Sequence, residues 1–447
     1  MAWYDEAIFY HIYPLGLSGA PAQNEKGEIV HRLRDMENWI DHIKAIGCNA
    51  LYIGPLFESV GHGYETTDYK TLDRRLGDNE DLKHFVASCH KKNVKVIFDG
   101  VFNHTGRDFF AFLDVKEHRE NSRYKDWYCN VNFGGNNEYN DGFSYDNWGG
   151  YNLLVKLNQR NPEVRDYIYD VIRFWVSEFD VDGIRLDAAD VLDFDFMKGM
   201  RRVAEEVKPD FWLMGEVIHG EYNRWVNTDT LHSVTNYHLN KALWSGCNDH
   251  NFFEIAHTVK RLYDMGGGHY ENFKLYNFAD NHDVERIASI LSSKEHFDVV
   301  HILMYTLPGI PSIYYGSEFA IEGKKERGSD ASLRPSLNLS DYENAIEENP
   351  ATALIAKLGQ IRQNTPALSY GEYKELLLMN RQYAYSRSYQ GTDVIAVVNN
   401  DEQEAVLRIP YSGSQTSFTG SLTQKTYTVE NGQIEVVLPA YGGDILV

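Results

Sequence analysis

The chain has little of what would mark a metal, membrane or nucleic-acid protein. Only four cysteines occur in 447 residues, Cys48, Cys89, Cys129 and Cys247, and no two stand in a CxxC pair. That argues against zinc and redox frameworks, and the apolar neighbours of Cys48 and Cys89 fit buried thiols. Cations are outnumbered, 43 Lys and Arg against 65 Asp and Glu, for a formal charge of −22. Nucleic acid and anionic membranes both need a basic footprint, so neither is expected as a partner. No apolar run reaches the length of a membrane helix. The first residues, MAWYDEAIFYHIYP, lack the basic start and apolar stretch of a secretory signal, so a cytoplasmic location is expected. Internal repeats, low-complexity tracts and an EF-hand loop are also missing.

What is present is globular: 43% hydrophobic and 24% charged residues, and a length that suits about three domains. Aromatics reach 13%, with 30 Tyr and 8 Trp; such rings fill cores and also suit flat ligands. Short apolar runs at 8–13, 50–53, 94–101, 183–186, 211–217, 233–237, 275–278 and 312–315 predict eight strands. Several are apolar at consecutive positions, as strands buried on both faces are. Amphipathic stretches at 36–46, 81–92, 162–179 and 296–307 predict helices between them. The third opens on Asn161-Pro162, a cap followed by a proline. Eight strand–helix alternations predict an α/β fold, a (β/α)8 TIM barrel.

Two stretches break the alternation. Residues 103–161, rich in Asn, Gly, Asp, Tyr and Trp, are too long for a structureless loop. They predict a B domain inserted after strand 3, beside the barrel's C-terminal face. After Pro366 the pattern becomes short alternating strands with Gly and Asn turns, which predicts a C-terminal antiparallel β-sandwich. The expected organisation is a barrel from 1–102 and 162–366, the insert at 103–161 and the sandwich at 367–447.

The stretch EFDVDGIRLDAAD, 178–190, sets charges where a core strand should carry none. Side chains alternate along a strand, so Arg185 and Asp187 share a face. A buried carboxylate needs a partner, and Arg185 is expected to keep Asp187 ionised. Barrel strands present their functional groups at their C-terminal ends. There the third predicted strand offers Asp99 to His104, the fourth Arg185 and Asp187, the fifth Glu216 and the seventh Asp280 to Asp283. Carboxylates crowded at one rim repel one another, which points to chemistry. Two acids flanking one bond are the equipment of glycoside hydrolysis, one ionised and one protonated. Asp187 suits the first role; Glu216, among Leu213, Met214, Val217 and Ile218, suits the second. Asp283 would grip hydroxyls and offset positive charge, and His104 and His282 would donate hydrogen bonds.

These motifs, taken in order, resemble those of the α-amylase superfamily, glycoside hydrolase family 13. They are HGYETTDY from His62, DGVFNH from Asp99, LVKLN from Leu154, GIRLDAAD from Gly183, GEV from Gly215, FADNHD from Phe278 and GIPSIYYGSE from Gly309. The resemblance implies Asp187 as nucleophile, Glu216 as acid/base and Asp283 as stabiliser of the transition state. It implies Tyr64 as a stacking ring, with His104, Arg185 and His282 lining the same pocket. It further implies retention of anomeric configuration, with the two carboxyls about 5–5.5 Å apart. The activity so implied is cleavage of α-1,4 bonds in starch-derived malto-oligosaccharides. Cyclomaltodextrinase or neopullulanase action, α-1,6 cleavage and transglycosylation use the same groups and stay open. A non-catalytic carbohydrate-binding module is the reading from another class; such chains usually lose one of the three carboxylates, and all three stand here.

Some positions depart from the pattern. Many α-amylases carry His or Lys four places after the nucleophile, where this chain has Val191. LVKLN and His219 look more like the neopullulanase and cyclomaltodextrinase branch, which usually has an extra N-terminal domain. In GSDASLRP, Asp330 and Arg334 would bind sugar hydroxyls or form a surface ion pair. The chemistry requires no cofactor, but Asn103 matches the residue through which some relatives hold a structural calcium, an ion that takes six to eight oxygens. Trp127, Tyr145 and Trp148 read either as stacking rings at outer subsites or as packing within the insert. His11 and Tyr13 read as pocket or core.

Overall fold

A computed structural model describes residues 1–263 and 273–447. Eight short parallel strands form its centre: β1 (Phe9–Ile12), β2 (Ala50–Ile53), β3 (Lys95–Gly100), β4 (Gly183–Leu186), β5 (Trp212–Gly215), β6 (Ser233–Val234), β7 (Tyr276–Phe278) and β8 (Ile310–Tyr314). They pair in the order β6-β5-β4-β3-β2-β1-β8-β7. A parallel bridge between Thr235 and Tyr276 joins the two ends, so the sheet closes on itself. All eight predicted strands are present, and the fold is the expected (β/α)8 barrel.

The period-two pleat divides the strand residues between two cores. Phe9, Tyr52, Ile97, Trp212, Met214, Tyr276, Phe278 and Ile310 pack together as one cluster, the filling inside the barrel. Their neighbours Tyr10, Leu51, Val96, Ile184 and Leu213 belong to a larger cluster with the surrounding helices. The same parity fixes the rim: Asp99 pairs with Arg185 across β3 and β4, and Arg185 with Met214 across β4 and β5. Residues two places beyond these, Asp187 and Glu216, continue the inward column at the C-terminal ends.

Local chemistry sets the helix starts. The Asn161 side chain accepts from the Glu163 amide with Pro162 in the first turn, and the helix runs Pro162–Phe179. The helix expected from 81 starts at Asn79, because Asp78 and Asp81 close a reciprocal cap. The sixth predicted strand is cut short at Val234: the Asn236 side chain accepts from the Leu239 amide and opens the helix Tyr237–Asn248.

Within 103–161, His104–Thr105, Tyr151–Lys156 and Asn147–Trp148 make a three-stranded sheet beside the barrel mouth. Beyond the helix Pro366–Tyr370 come two four-stranded antiparallel sheets. They enclose their own core of Ile395, Val397, Ile409, Phe418, Ile434 and Leu438. Among the described residues no helix is long and apolar enough to cross a membrane.

Candidate active site

The site is built around Arg185, only 3% exposed at the top of β4. Its Nη1 donates to Asp99 Oδ1 at 2.9 Å and to Asp187 Oδ1 at 2.8 Å. Its Nη2 lies 3.0 Å from Glu216 Oε2. One guanidinium thus gathers acids from β3, the end of β4 and the end of β5, using the planar fork of donors that only arginine has. Asp187 and Glu216 are thus held on the two nitrogens of one guanidinium, close enough to flank a single bond.

Arg185, the expected partner of Asp187, is divided among three acids, so its charge offsets the burial of the Asp187 carboxyl only in part. Burial pushes Asp187 well above the usual carboxylate range; Arg185 opposes this, and the charges of Glu216 and Asp99 add to it. Burial likewise raises Glu216, against Arg185 and with help from Asp283. Glu216 Oε2 also accepts from the Ala188 amide at 3.1 Å, while Oε1 has only a 3.4 Å contact with the Tyr237 hydroxyl. Oε1 is therefore the oxygen with room to carry a proton.

Asp283 enters from the loop after β7. Its amide donates to Asn281 Oδ1 at 2.8 Å, its Oδ2 lies 3.1 Å from His282 Nε2, and Arg334 Nη2 donates to its Oδ1 at 2.9 Å. Arg334 also donates from Nε to the His282 carbonyl at 3.0 Å, and its guanidinium lies 4.8 Å from the Tyr13 ring centre. Asp330 is held by Arg334 at 3.3 Å and Lys325 at 3.5 Å. Asp330 and Arg334 thus form an ion pair, and Arg334 carries it to the carboxylate of Asp283.

An aromatic wall closes the other side. The Tyr64 ring stacks on His282 with centres 5.7 Å apart, and its hydroxyl donates to Asp99 Oδ2 at 3.1 Å. Tyr52 donates to the same oxygen at 2.8 Å. His11 stacks on Tyr52 at 4.1 Å and meets His282 edge-on at 5.1 Å, so it belongs to the pocket wall. Tyr13 lies parallel to His282 at 6.0 Å. His104 is at the rim, but its nitrogens face protein atoms: Nε2 the Tyr64 carbonyl at 3.1 Å, Nδ1 the Asn103 amide at 3.2 Å. Burial lowers the pKa of His104 to about 4, so its ring is neutral at ordinary pH.

The three aromatics of the insert separate. Trp127 is buried, its indole donating to Glu163 at 2.9 Å, and Tyr145 is buried beside Arg107. Trp148 is 38% exposed, with its ring 6.0 Å from that of His104 at the pocket mouth. The donors around Asn103 do not suit calcium. Its Oδ1 accepts from Gln159 at 3.0 Å and its nitrogen faces His104. Among the described residues, the one close group of three His, Cys, Asp or Glu side chains is His31, Asp78 and Asp81, which lies elsewhere and is already engaged by Arg34.

Sequence reasoning did not select Asp99, Tyr52 or Tyr237 as site residues. Asp99 had a signal: it is a charge within an apolar strand, in register with Arg185. Tyr52 and Tyr237 look like core aromatics until the fold turns their hydroxyls toward Asp99 and Glu216.

Residues 23–357 match the family described as "Alpha amylase, catalytic domain", and 374–445 match "Maltogenic Amylase, C-terminal domain". A cyclomaltodextrinase of a Bacillus species is 30% identical over 91% of this chain and 75% of its own. Neopullulanase 2 of Thermoactinomyces vulgaris is 29% identical over 99% of this chain and 78% of its own. Among solved structures, a cyclomaltodextrinase superposes with a TM-score of 0.88 at 26% identity, covering 100% of this chain and 78% of that one. The debranching enzyme of Nostoc punctiforme gives 0.86 at 26% identity, covering 99% and 98%. A barrel with acids gathered at its C-terminal rim, matched over three quarters of its length by the catalytic domain of one family, belongs to that family: the chain is a glycoside hydrolase of the α-amylase family.

Proposed function

We propose that this hydrolase cleaves α-1,4-glucosidic bonds of malto-oligosaccharides with retention, through a glycosyl-enzyme intermediate. The observation that carries the reading is the shared guanidinium: Asp187 and Glu216 lie on two nitrogens of Arg185, 2.8 and 3.0 Å away. In the first step Asp187 attacks the anomeric carbon while Glu216 gives its proton to the departing oxygen. In the second, Glu216 takes a proton from water, and the water oxygen displaces Asp187. Asp283, steadied by Arg334 and His282, faces the charge that develops on the ring, and Tyr64 supplies a flat apolar face. Asp99 touches no substrate in this scheme; it positions Arg185, Tyr52 and Tyr64.

A second reading, opening of cyclic maltodextrins, is favoured by the similarity to cyclomaltodextrinases over most of the chain. Chromatography and anomeric NMR of the products from maltoheptaose, β-cyclodextrin and pullulan test both. The first reading expects short linear products from maltoheptaose that appear as the α-anomer. Faster attack on β-cyclodextrin favours the second, and release of β-anomers removes the retaining mechanism.

A further inference from the structure

The side chain of Asp283, in the loop after β7, is 35% exposed. Such a carboxylate keeps one orientation only if its partners are themselves fixed. Its cationic partner, Arg334, belongs to no helix or strand; it follows the short helical turn Ala331–Leu333. The carbonyls on either side of Arg334 are both held. Leu333 O accepts from Arg286 Nη2 at 3.0 Å and from the Tyr314 hydroxyl at 2.9 Å, and Pro335 O accepts from the Tyr315 hydroxyl at 2.8 Å. The segment that carries Arg334 is thus pinned to the end of β8 at two points, one residue before it and one after.

Arg286 is the centre of this fastening. It stands three residues after Asp283 and is fully buried. Besides the Leu333 carbonyl it reaches Tyr315 O at 2.6 Å and Ser317 Oγ at 3.1 Å, both through Nη1. Its guanidinium lies 4.1 Å from the Tyr314 ring centre. A buried cation needs a countercharge, and Asp280, also buried, supplies it through Ser317, whose hydroxyl donates to Asp280 Oδ1 at 2.8 Å. The other Asp280 oxygen accepts from the Ile287 amide at 2.7 Å, which closes the loop after β7 on itself. One planar group thus ties the loop bearing Asp283 to the segment bearing Arg334. A lysine offers a single nitrogen in place of that fork.

We propose that Arg286 is a positioning residue for the reaction: it touches no substrate, and by fixing Arg334 it fixes the Asp283 carboxylate. The inference rests on the function proposed above and extends that site by two steps, from Asp283 to Arg334 and from Arg334 to Arg286. The Asp283 charge matters most when positive charge develops on the sugar ring. Its misplacement therefore slows the chemical step more than it weakens substrate binding. A buttress that served stability alone would lower Tm and leave turnover by the folded protein intact.

The test uses the full chain with maltoheptaose as substrate. kcat, KM and Tm are measured for Arg286→Lys and Tyr315→Phe, each alone and combined with Arg334→Met. Arg286→Lys is expected to lower kcat about tenfold or more, with KM within about twofold of its starting value. Tyr315→Phe removes only the bond to Pro335 and should lower kcat about threefold in the same sense; it keeps the test open where the arginine variant does not fold. In the Arg334→Met protein either change should lower kcat by less than about twofold, because the residue through which it acts is gone. An equal loss of kcat in both backgrounds, an unchanged kcat, or a rise in KM alone overturns the role. Full turnover by Asp283→Asn would instead remove the proposed function itself, so the two failures are distinct.

Discussion

Arg185 binds Asp187 through one nitrogen at 2.8 Å and Glu216 through the other at 3.0 Å, with Asp99 sharing the first. Breaking a buried pair by removing one partner commonly costs about 3–5 kcal/mol, and here three acids would lose their cation together. Arg185→Gln is expected to lower kcat at least 100-fold. It should also move the pH optimum upward, since the Asp187 and Glu216 carboxyls lose the one charge holding them down. A pH–rate profile checks this; an unmoved optimum would mean Arg185 is structural only.

Single neutral replacements should separate catalysis from stability. Asp187→Asn and Glu216→Gln are each expected to lower kcat by about 100-fold or more. Their effect on stability runs the other way. Burial raises both carboxyls in the folded state, so their contribution is present at low pH and lost as pH rises through the folded values. Replacing either should therefore raise Tm at pH 8 more than at pH 4. Calorimetry at the two pH values tests this, and a lower Tm at pH 8 contradicts the crowding of like charges.

Acid should weaken the fold by way of its buried histidines. Burial holds His104 at about 4, His301 at about 4 and His232 at about 3, against about 6.5 in an unfolded chain. Between those values the unfolded chain binds protons that the folded one does not, so stability falls as pH drops from 6.5 toward 4. Each histidine contributes up to about 1.4 kcal/mol per pH unit in that window. Because the raised carboxyls act in the opposite sense, the histidine effect is read by difference: the Tm of His301→Gln should fall less between pH 7.5 and 5 than that of the unchanged protein, and an equal fall would mean the ring is protonated in place.

The barrel is legible in the sequence because each strand is an apolar run too short for a helix. Asp187 and Glu216 stand out because a charge closing an apolar strand has no local explanation. What is hidden is the company these groups keep. Arg185 and Asp99 are 86 residues apart, and Arg334 and Asp283 are 51 apart, so no local pattern reveals that one cation serves three acids or that an apparent surface pair grips a fourth. Trp127, Tyr145 and Trp148 read alike in sequence; only the fold of the insert buries two and exposes the third. Asn103 resembles a calcium ligand until Gln159 takes its oxygen.

Asp187 as nucleophile and Glu216 as acid/base meet their most direct test in Glu216→Gln treated with α-maltosyl fluoride. Fluoride leaves without a proton, so the first step proceeds, while the second lacks its base and the intermediate accumulates. Mass spectrometry of the digested protein should find a maltosyl group on the peptide spanning 183–190, attached to Asp187. An unmodified peptide there, or a sugar carried by another carboxylate, contradicts the assignment.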